Sequence, residues 1–154
     1  MIDSENWPAV KTSKEVHAQI EDLQNSEGFF RGMNQIEIMK LGAAHTIKNG
    51  LSAPAEHKRE TDISAPKYVA SKETMYVNLR MLMLLCYSTD SGIKISDDFE
   101  RIDIVKTFER FAEAGIRDLH DKYIIGSDTP EDFLRLAFED AQSVKPAIEE
   151  KLSN

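Results

Sequence analysis

The chain has 154 residues, of which 41% are hydrophobic and 30% are charged, and these ordinary globular values exclude extensive disorder. Its length predicts a single helical domain, residues 1–154, with room for a substantial core. The net charge of −8, from 27 acidic and 19 basic residues, disfavours general nucleic-acid binding because most of the surface would repel phosphates.

The N-terminal residues 1–8 lack the basic region and the apolar core of a signal peptide, so we expect none. A first helix is predicted at 13–25. Thr12 and Glu15 have the spacing of a capping box, and an apolar stripe follows them at helical intervals. The stripe consists of Val16, Ile20 and Leu23.

A second helix is predicted at 35–49, and both of its ends are marked in the sequence. Asn34 and Glu37 have capping-box spacing, and Gly50 supplies the left-handed stop found at the end of many helices. The small residues at 42–44 (GAA) indicate that another helix approaches closely at this point.

Residues 51–70 show no apolar period and are interrupted by Pro54 and Pro66. A connection of this length is long for a compact domain, where about 4–6 residues are typical. Its prolines and charges leave too little apolar surface to offset the entropy of ordering, so we expect a long, mobile, exposed loop. A short β-hairpin with one arm around 67–69 is the alternative.

A third helix is predicted at 72–88, with Ser71 as its cap, and it contains the most apolar run of the chain, 78–87 (NLRMLMLLCY). A helix that is apolar on almost every side must be surrounded by protein, so we expect 79–87 to form the most buried helix. The run is shorter than the roughly 20 apolar residues that a bilayer requires. Cys86 lies within it as a buried thiol, and the lack of a second cysteine fits a reducing cytoplasm.

A turn is predicted at 89–92, a short extended segment at 93–95, and a fourth helix at 97–123. Ser96 would cap this helix, and apolar residues recur along it at helical intervals. Gly115 is unfavourable by about 1 kcal/mol inside a helix, and marks either close helix packing or a break.

A fifth helix is predicted at 130–145, because Thr129 provides a cap and Pro130 occupies the first helical position. The sequence as a whole therefore predicts an all-α fold. About five helices would pack as a bundle or orthogonally around the central apolar helix at 72–88, with a long loop at 51–70.

The metal-ligating residue types lack the spacing of a metal site. None of the four histidines belongs to an HxxxH or ExxH pair, which would place two ligands on one helical face. Glu109, Glu113 and His120 share a face, but Glu113, Arg117 and Asp121 follow the i,i+4 pattern of ion pairs, so we interpret this face as solvated. We expect neither a metal nor an organic cofactor.

Catalytic motifs are also absent from the sequence. It contains no GxxxxGK[ST] or GxGxxG phosphate loop and no GxSxG nucleophile elbow. Acidic pairs at 97–98 and 131–132 lie at predicted helix N-termini, where the helix dipole explains them. We therefore expect a protein that is not an enzyme.

Positive charge is concentrated at His57, Lys58 and Arg59, with Lys67 nearby. One interpretation of these four candidate interaction residues is an ordinary solvated loop. The other is a contact arm for an acidic partner protein or a nucleic-acid backbone, although neighbouring acidic residues interrupt the cluster.

Four segments resemble the pattern of small proteins associated with Dnd systems, which accompany DNA phosphorothioation gene clusters in prokaryotes. They are 29–44 (FFRGMNQIEIMKLGAA), 48–50 (KNG), 53–54 (AP) and 111–119 (FAEAGIRDL). The resemblance covers residues 29–140, involves helix caps and core positions, and transfers no site residues. The charged insert after Pro54 departs from the family pattern. The resemblance implies an accessory protein of a DNA-modification or defence system.

The expected function is that of a non-enzymatic accessory protein in the cytoplasm, acting through contacts with another protein. The alternative is a nucleic-acid-binding regulator that uses the basic loop at 54–72. An enzyme is a third reading, and it would need a site without recognisable spacing. Homo-oligomerisation is left open, and no membrane association is expected.

Overall fold

The structure, a computed structural model, describes residues 7–26, 28, 30–53, 58–91, 100–126, 135, 138 and 139. The described part is mostly helical, which confirms the all-α class, and its strands form one small antiparallel pair. Its elements are β1 (Val10–Thr12), α1 (Lys14–Gln24), α2 (Gln35–Asn49), β2 (Thr61–Ser64), α3 (Pro66–Val69), α4 (Thr74–Ser91), α5 (Arg101–His120) and a π-helical turn (Asp121–Ile125).

Three predictions fall wholly or largely outside the described residues. These are the extended segment at 93–95, the Ser96 cap with the start of the fourth helix, and the fifth helix at 130–145. Within the last range only residues 135, 138 and 139 are described, and all three are helical.

The first two helices lie where the sequence predicts them. The cap of α1 is Ser13 rather than Thr12, because the Ser13 hydroxyl accepts a hydrogen bond at 3.3 Å from the amide three residues later. Thr12 instead ends β1. The bounds of α2 match the prediction, and Gly50 ends it in the left-handed conformation at φ 59°. Asn34 is the N-cap residue of α2, but its side chain makes no capping hydrogen bond.

The helix that the other elements surround is α5, which contacts α1, α2, α4 and β1. The prediction that residues 79–87 form the most buried helix is therefore wrong. α4 buries Leu79 and Met83, whereas Met81 and Leu85 are 64% and 51% exposed. Among the described elements, α2, α3 and α5 make the main contacts with α4, and Val77 is exposed together with Met81 and Leu85.

The bounds of α4 also differ from the predicted 72–88. The Ser71 hydroxyl accepts a hydrogen bond from the Glu73 amide at 3.2 Å, and α4 begins at the next residue. The turn predicted at 89–92 is not formed at 89–91, because α4 continues through Ser91. The Thr89 hydroxyl donates a hydrogen bond to the Leu85 carbonyl oxygen, one helical turn earlier, at 2.7 Å. No described helix is long and apolar enough to cross a membrane.

α2 and α5 approach each other to backbone contact through two glycines. A Cβ atom at Gly115 would overlap the Gly42 carbonyl, and a Cβ atom at Gly42 would lie 2.6 Å from the Ala112 carbonyl oxygen. The buried Thr46 hydroxyl crosses the same interface and donates to the Phe111 carbonyl oxygen at 2.6 Å. Gly115 therefore marks close helix packing rather than a break.

The prediction of a long exposed loop at 51–70 is wrong for 61–64 and 66–69, whereas 51–53 and 58–60 have no regular secondary structure. β2 pairs antiparallel with β1, with Ser64 opposite Val10, and α3 follows directly. The alternative hairpin arm at 67–69 is not formed either, because these residues are helical and Val69 is buried. The partner strand lies about fifty residues earlier in the chain, so no local alternation could indicate the pairing.

Replacing Gly115 by alanine tests the glycine contact. Helix propensity alone predicts a gain of about 1 kcal/mol. We expect instead a loss of more than about 3 kcal/mol in the free energy of unfolding, because α2 and α5 must separate to admit the methyl group. Urea denaturation followed by circular dichroism measures the change.

The control for this variant is Gly32→Ala. Gly32 has a φ of 76° and open space around its Cβ position, so alanine there costs only the backbone strain of about 1–2 kcal/mol. A Gly115→Ala protein as stable as the wild type would contradict the close packing.

The two faces of α4 should respond differently to truncation. Leu79 is fully buried, so Leu79→Ala should cost about 2–5 kcal/mol of unfolding free energy. Leu85 is half exposed, so Leu85→Ala should cost only about 1 kcal/mol. Equal losses in chemical denaturation would show that the outer face of α4 is buried in solution.

Candidate functional site

The predicted interaction residues have different environments in the structure. His57 lies outside the described residues. Lys58 is 84% exposed and pairs with Glu60 at 2.7 Å, and Lys67 is exposed with its ammonium 4.9 Å from the centre of the Tyr68 ring. Arg59, in contrast, is only 7% exposed and points into the protein. The structure therefore does not bring Arg59 together with Lys58 and Lys67 as one exposed basic surface.

Arg59 is buried because it pairs with Glu113 in the middle of α5. Its Nε donates to Glu113 Oε1 at 2.8 Å, and the Glu113 side chain is fully buried. The same carboxylate oxygen accepts from the Ser13 amide at 3.2 Å, and the other oxygen lies 3.7 Å from Arg117 Nη2. A buried ion pair must be compensated by further hydrogen bonds, and Glu113 obtains one from the segment that begins α1.

Glu109 lies one helical turn before Glu113 and is also buried. Its Oε2 accepts a hydrogen bond from the Lys11 amide at 2.6 Å, which joins β1 to α5. Burial raises the pKa of Glu109 from 4.5 to about 7, with the charge of Glu113 acting in the same direction and the Lys11 amide and Arg59 acting against it. The carboxyl group is therefore partly protonated near neutral pH.

A cleft of about 400 Å³ lies between β1 and α5, beside these carboxylates. Its charged lining consists of Lys11, Arg59, Lys106 and Glu109. Pro8, Ala9, Ile102 and Val105 form its apolar walls. Among the described residues, no group of three or more His, Cys, Asp or Glu side chains is arranged to hold a metal ion. The excess of cations in the cleft suits an anion instead.

The outer face of α4 is a second surface with unusual chemistry. Val77, Met81 and Leu85 are exposed at intervals of four residues, and we refer to them as the α4 stripe. Every other exposed side chain between 74 and 89 is also uncharged, namely those of Thr74, Asn78 and Thr89. This face has fewer charges than the 30% charged content of the chain would give on average, although the exposed Glu73 and Asp90 border it. Loss of charge is the compositional mark of the centre of a protein–protein interface.

The sequence interpretation of Glu109, Glu113 and His120 as a solvated face is wrong, since all three are buried. His120 Nε2 lies 2.8 Å from Asp22 Oδ2 at the edge of the core. A signal for the two glutamates was present, because they fall at helical intervals from Val105 and beside Ala112, on the apolar face of α5. Nothing local indicated that Arg59 would reach them, because it lies 54 residues away in sequence.

Comparison of the chain with protein-family models, with curated proteins and with solved structures gives no match. The resemblance to Dnd-associated proteins stays a prediction. Function is therefore inferred from the residues and their geometry.

The pKa of Glu109 predicts a pH dependence of stability. The unfolded chain releases this proton near pH 4.5 and the folded protein near pH 7. An unfavourable contribution is therefore absent below about pH 4.5, grows as the pH rises, and is complete above about pH 7, where it reaches at most about 3 kcal/mol.

Glu109→Gln should remove this contribution, because glutamine does not titrate and keeps an oxygen acceptor for the Lys11 amide. Relative to the wild type, its unfolding free energy should rise between pH 4.5 and 7.5. Urea denaturation across this range measures the difference, with the exposed Glu73→Gln as the matched control. A constant difference would mean that Glu109 ionises normally in the folded protein.

Proposed function

We propose that this protein is a non-enzymatic accessory protein that binds another protein through the α4 stripe. The observation that supports the proposal is the uncharged, exposed outer face of α4. A partner helix with an apolar ridge is the occupant that fits best, because side chains four residues apart form a ridge that packs into the groove of a neighbouring helix.

The energetics of the α4 stripe favour a partner whose contacts extend beyond it. Val77, Met81 and Leu85 still expose enough apolar surface for burial to contribute on the order of 3 kcal/mol. Association costs about 4 kcal/mol or more in lost translational and rotational freedom. The uncharged neighbours Thr74 and Asn78 would therefore form part of the same interface.

The alternative function, a nucleic-acid-binding regulator that uses the segment 54–72, has less support. Arg59 is buried against Glu113 and is not available to a phosphate backbone on the surface. Lys58 is paired with Glu60, and the chain as a whole carries a net charge of −8. A helical protein partner needs neither a basic patch nor a positive net charge.

We further propose that the accessory role belongs to a prokaryotic DNA-modification or defence system and that the protein is cytoplasmic. The resemblance of 29–44 and 111–119 to Dnd-associated proteins supports the first part, and the single buried Cys86 supports the second. Recurrent location of the gene beside phosphorothioation genes is the expected observation. Neighbouring genes with no relation to DNA would contradict this part of the proposal.

The test of partner binding uses the full-length protein with a photo-crosslinking amino acid at position 81, expressed in its source organism. We expect one protein to be crosslinked, and the same protein to co-purify in stoichiometric amount. Met81→Glu and Leu85→Glu should abolish co-purification, because a carboxylate in an apolar interface leaves an uncompensated charge. Both positions are exposed, so the thermal stability of the free protein should change little.

Ile125→Glu is the matched control, since Ile125 is an apolar residue with 67% exposure in a different element. This variant should retain the partner. A partner retained equally by Met81→Glu would overturn the role of the α4 stripe. A wild-type dimer that Met81→Glu dissociates would show instead that the stripe binds a second copy of the chain.

A further inference from the structure

The cleft between β1 and α5 is a positively charged site in an acidic protein. Lys11, Arg59 and Lys106 line the cleft with one carboxyl group, that of Glu109, whereas Glu113, which pairs with Arg59, lies outside the lining. With Glu113 counted, the site keeps a net positive charge even when Glu109 is ionised. The protein as a whole carries −8. Three cations gathered from three separate parts of the chain are not explained by the general surface composition.

We propose that this cleft binds a phosphate monoester whose organic part is small and apolar. The charge of the phosphate would be balanced chiefly by the Lys11 and Lys106 ammonium groups, because Arg59 is already paired with Glu113. The apolar walls, which include Ile102 and Val105, suit a short hydrocarbon or aromatic group. A volume of about 400 Å³ accommodates a ligand of this size.

Arg59 is the residue on which the inference depends. Its side chain is more than nine-tenths buried, and Nη2 has no hydrogen-bond partner among the residues that the structure describes. Burial of a guanidinium with an unused donor is costly. Nη2 is itself shielded from solvent, so an anion in the adjoining cleft would offset part of that cost through Coulomb attraction to the guanidinium and not through a hydrogen bond to Nη2. Glu113 holds Nε at 2.8 Å and so fixes the guanidinium in advance. A fixed, planar guanidinium is well suited to phosphate.

The two lysines would complete the site from opposite walls. Lys11 belongs to β1, and its ammonium forms only a loose contact with Asp62, at 3.9 Å between Nζ and Oδ1. Lys106 belongs to α5 and is exposed to solvent. Both ammonium groups are therefore free to turn towards a bound anion, as point charges on flexible stems.

Glu109 should oppose anion binding when it is ionised. It lies in the cleft with Lys11 and Arg59, and Glu113 is its nearest negative neighbour on α5. Replacing it by glutamine removes one negative charge from the lining. The affinity of the cleft for an anion should therefore increase in Glu109→Gln, whereas most replacements of a residue that lines a binding site weaken binding. A general loss of structure would have the opposite effect.

Titration of the full-length protein with phenyl phosphate, followed by calorimetry at pH 8 and low salt, tests the proposal. We expect saturable one-to-one binding that is stronger than that of inorganic phosphate, because the phenyl ring contacts the apolar walls. Lys106→Met should weaken binding roughly tenfold, and Glu109→Gln should strengthen it by a similar factor.

Lys58→Met provides the matched control, because it removes the same charge from an exposed lysine outside the cleft lining. Its affinity for phenyl phosphate should equal that of the wild type. Absence of saturable binding at millimolar phenyl phosphate would overturn the proposal. The proposal would also be overturned if Lys58→Met and Lys106→Met weakened the binding of phenyl phosphate equally. That result would show that the anion is attracted by the charge of the whole surface and not by the cleft. Inorganic phosphate binding as tightly as phenyl phosphate would overturn the role of the apolar walls.

Discussion

The buried pair between Arg59 and Glu113 is the interaction on which both the small sheet and the cleft depend. Glu113 lies in the middle of α5, and its carboxylate holds the segment before β2 through Arg59 and the start of α1 through the Ser13 amide. Glu109 adds a bond to the Lys11 amide one turn earlier. Removing one partner of such a pair typically costs about 3–5 kcal/mol, because a charge is then left buried without compensation. The cleft is thus built from the same contacts that keep β1 on α5.

The contact between Gly42 and Gly115 explains why the described elements leave one face of α4 exposed. Because α2 reaches backbone contact with α5, α5 occupies the centre of the described fold and α4 packs at its side. α4 is apolar around most of its circumference, and among the described elements α2, α3 and α5 pack against it while Val77, Met81 and Leu85 stay exposed. The α4 stripe is therefore exposed because α2, and not α4, packs most closely against α5. An apolar surface that the described elements do not bury is a candidate interaction site.

The two proposed sites rely on different forces. The α4 stripe has no exposed charge and would gain affinity mainly from removing apolar surface from water. The cleft has charged side chains around a small volume, where Coulomb attraction acts at short range and is less screened by salt than on an open surface. Binding at the stripe should consequently depend little on ionic strength, whereas anion binding in the cleft should weaken as salt is added. The two interactions can be measured independently.

The sequence by itself determined the features that depend on neighbouring residues: the all-α class, the bounds of α2, the left-handed Gly50 and the beginning of α1 within one residue. These follow from capping and helical periodicity, which act over a few residues. Only the tertiary structure decided the pairing of β2 with β1, the contact of Arg59 with Glu113, and the exposure of Leu85. Those outcomes depend on residues that lie far away in the chain. A local sequence pattern does not indicate whether a distant arginine contacts a glutamate, or whether a neighbouring helix covers a leucine.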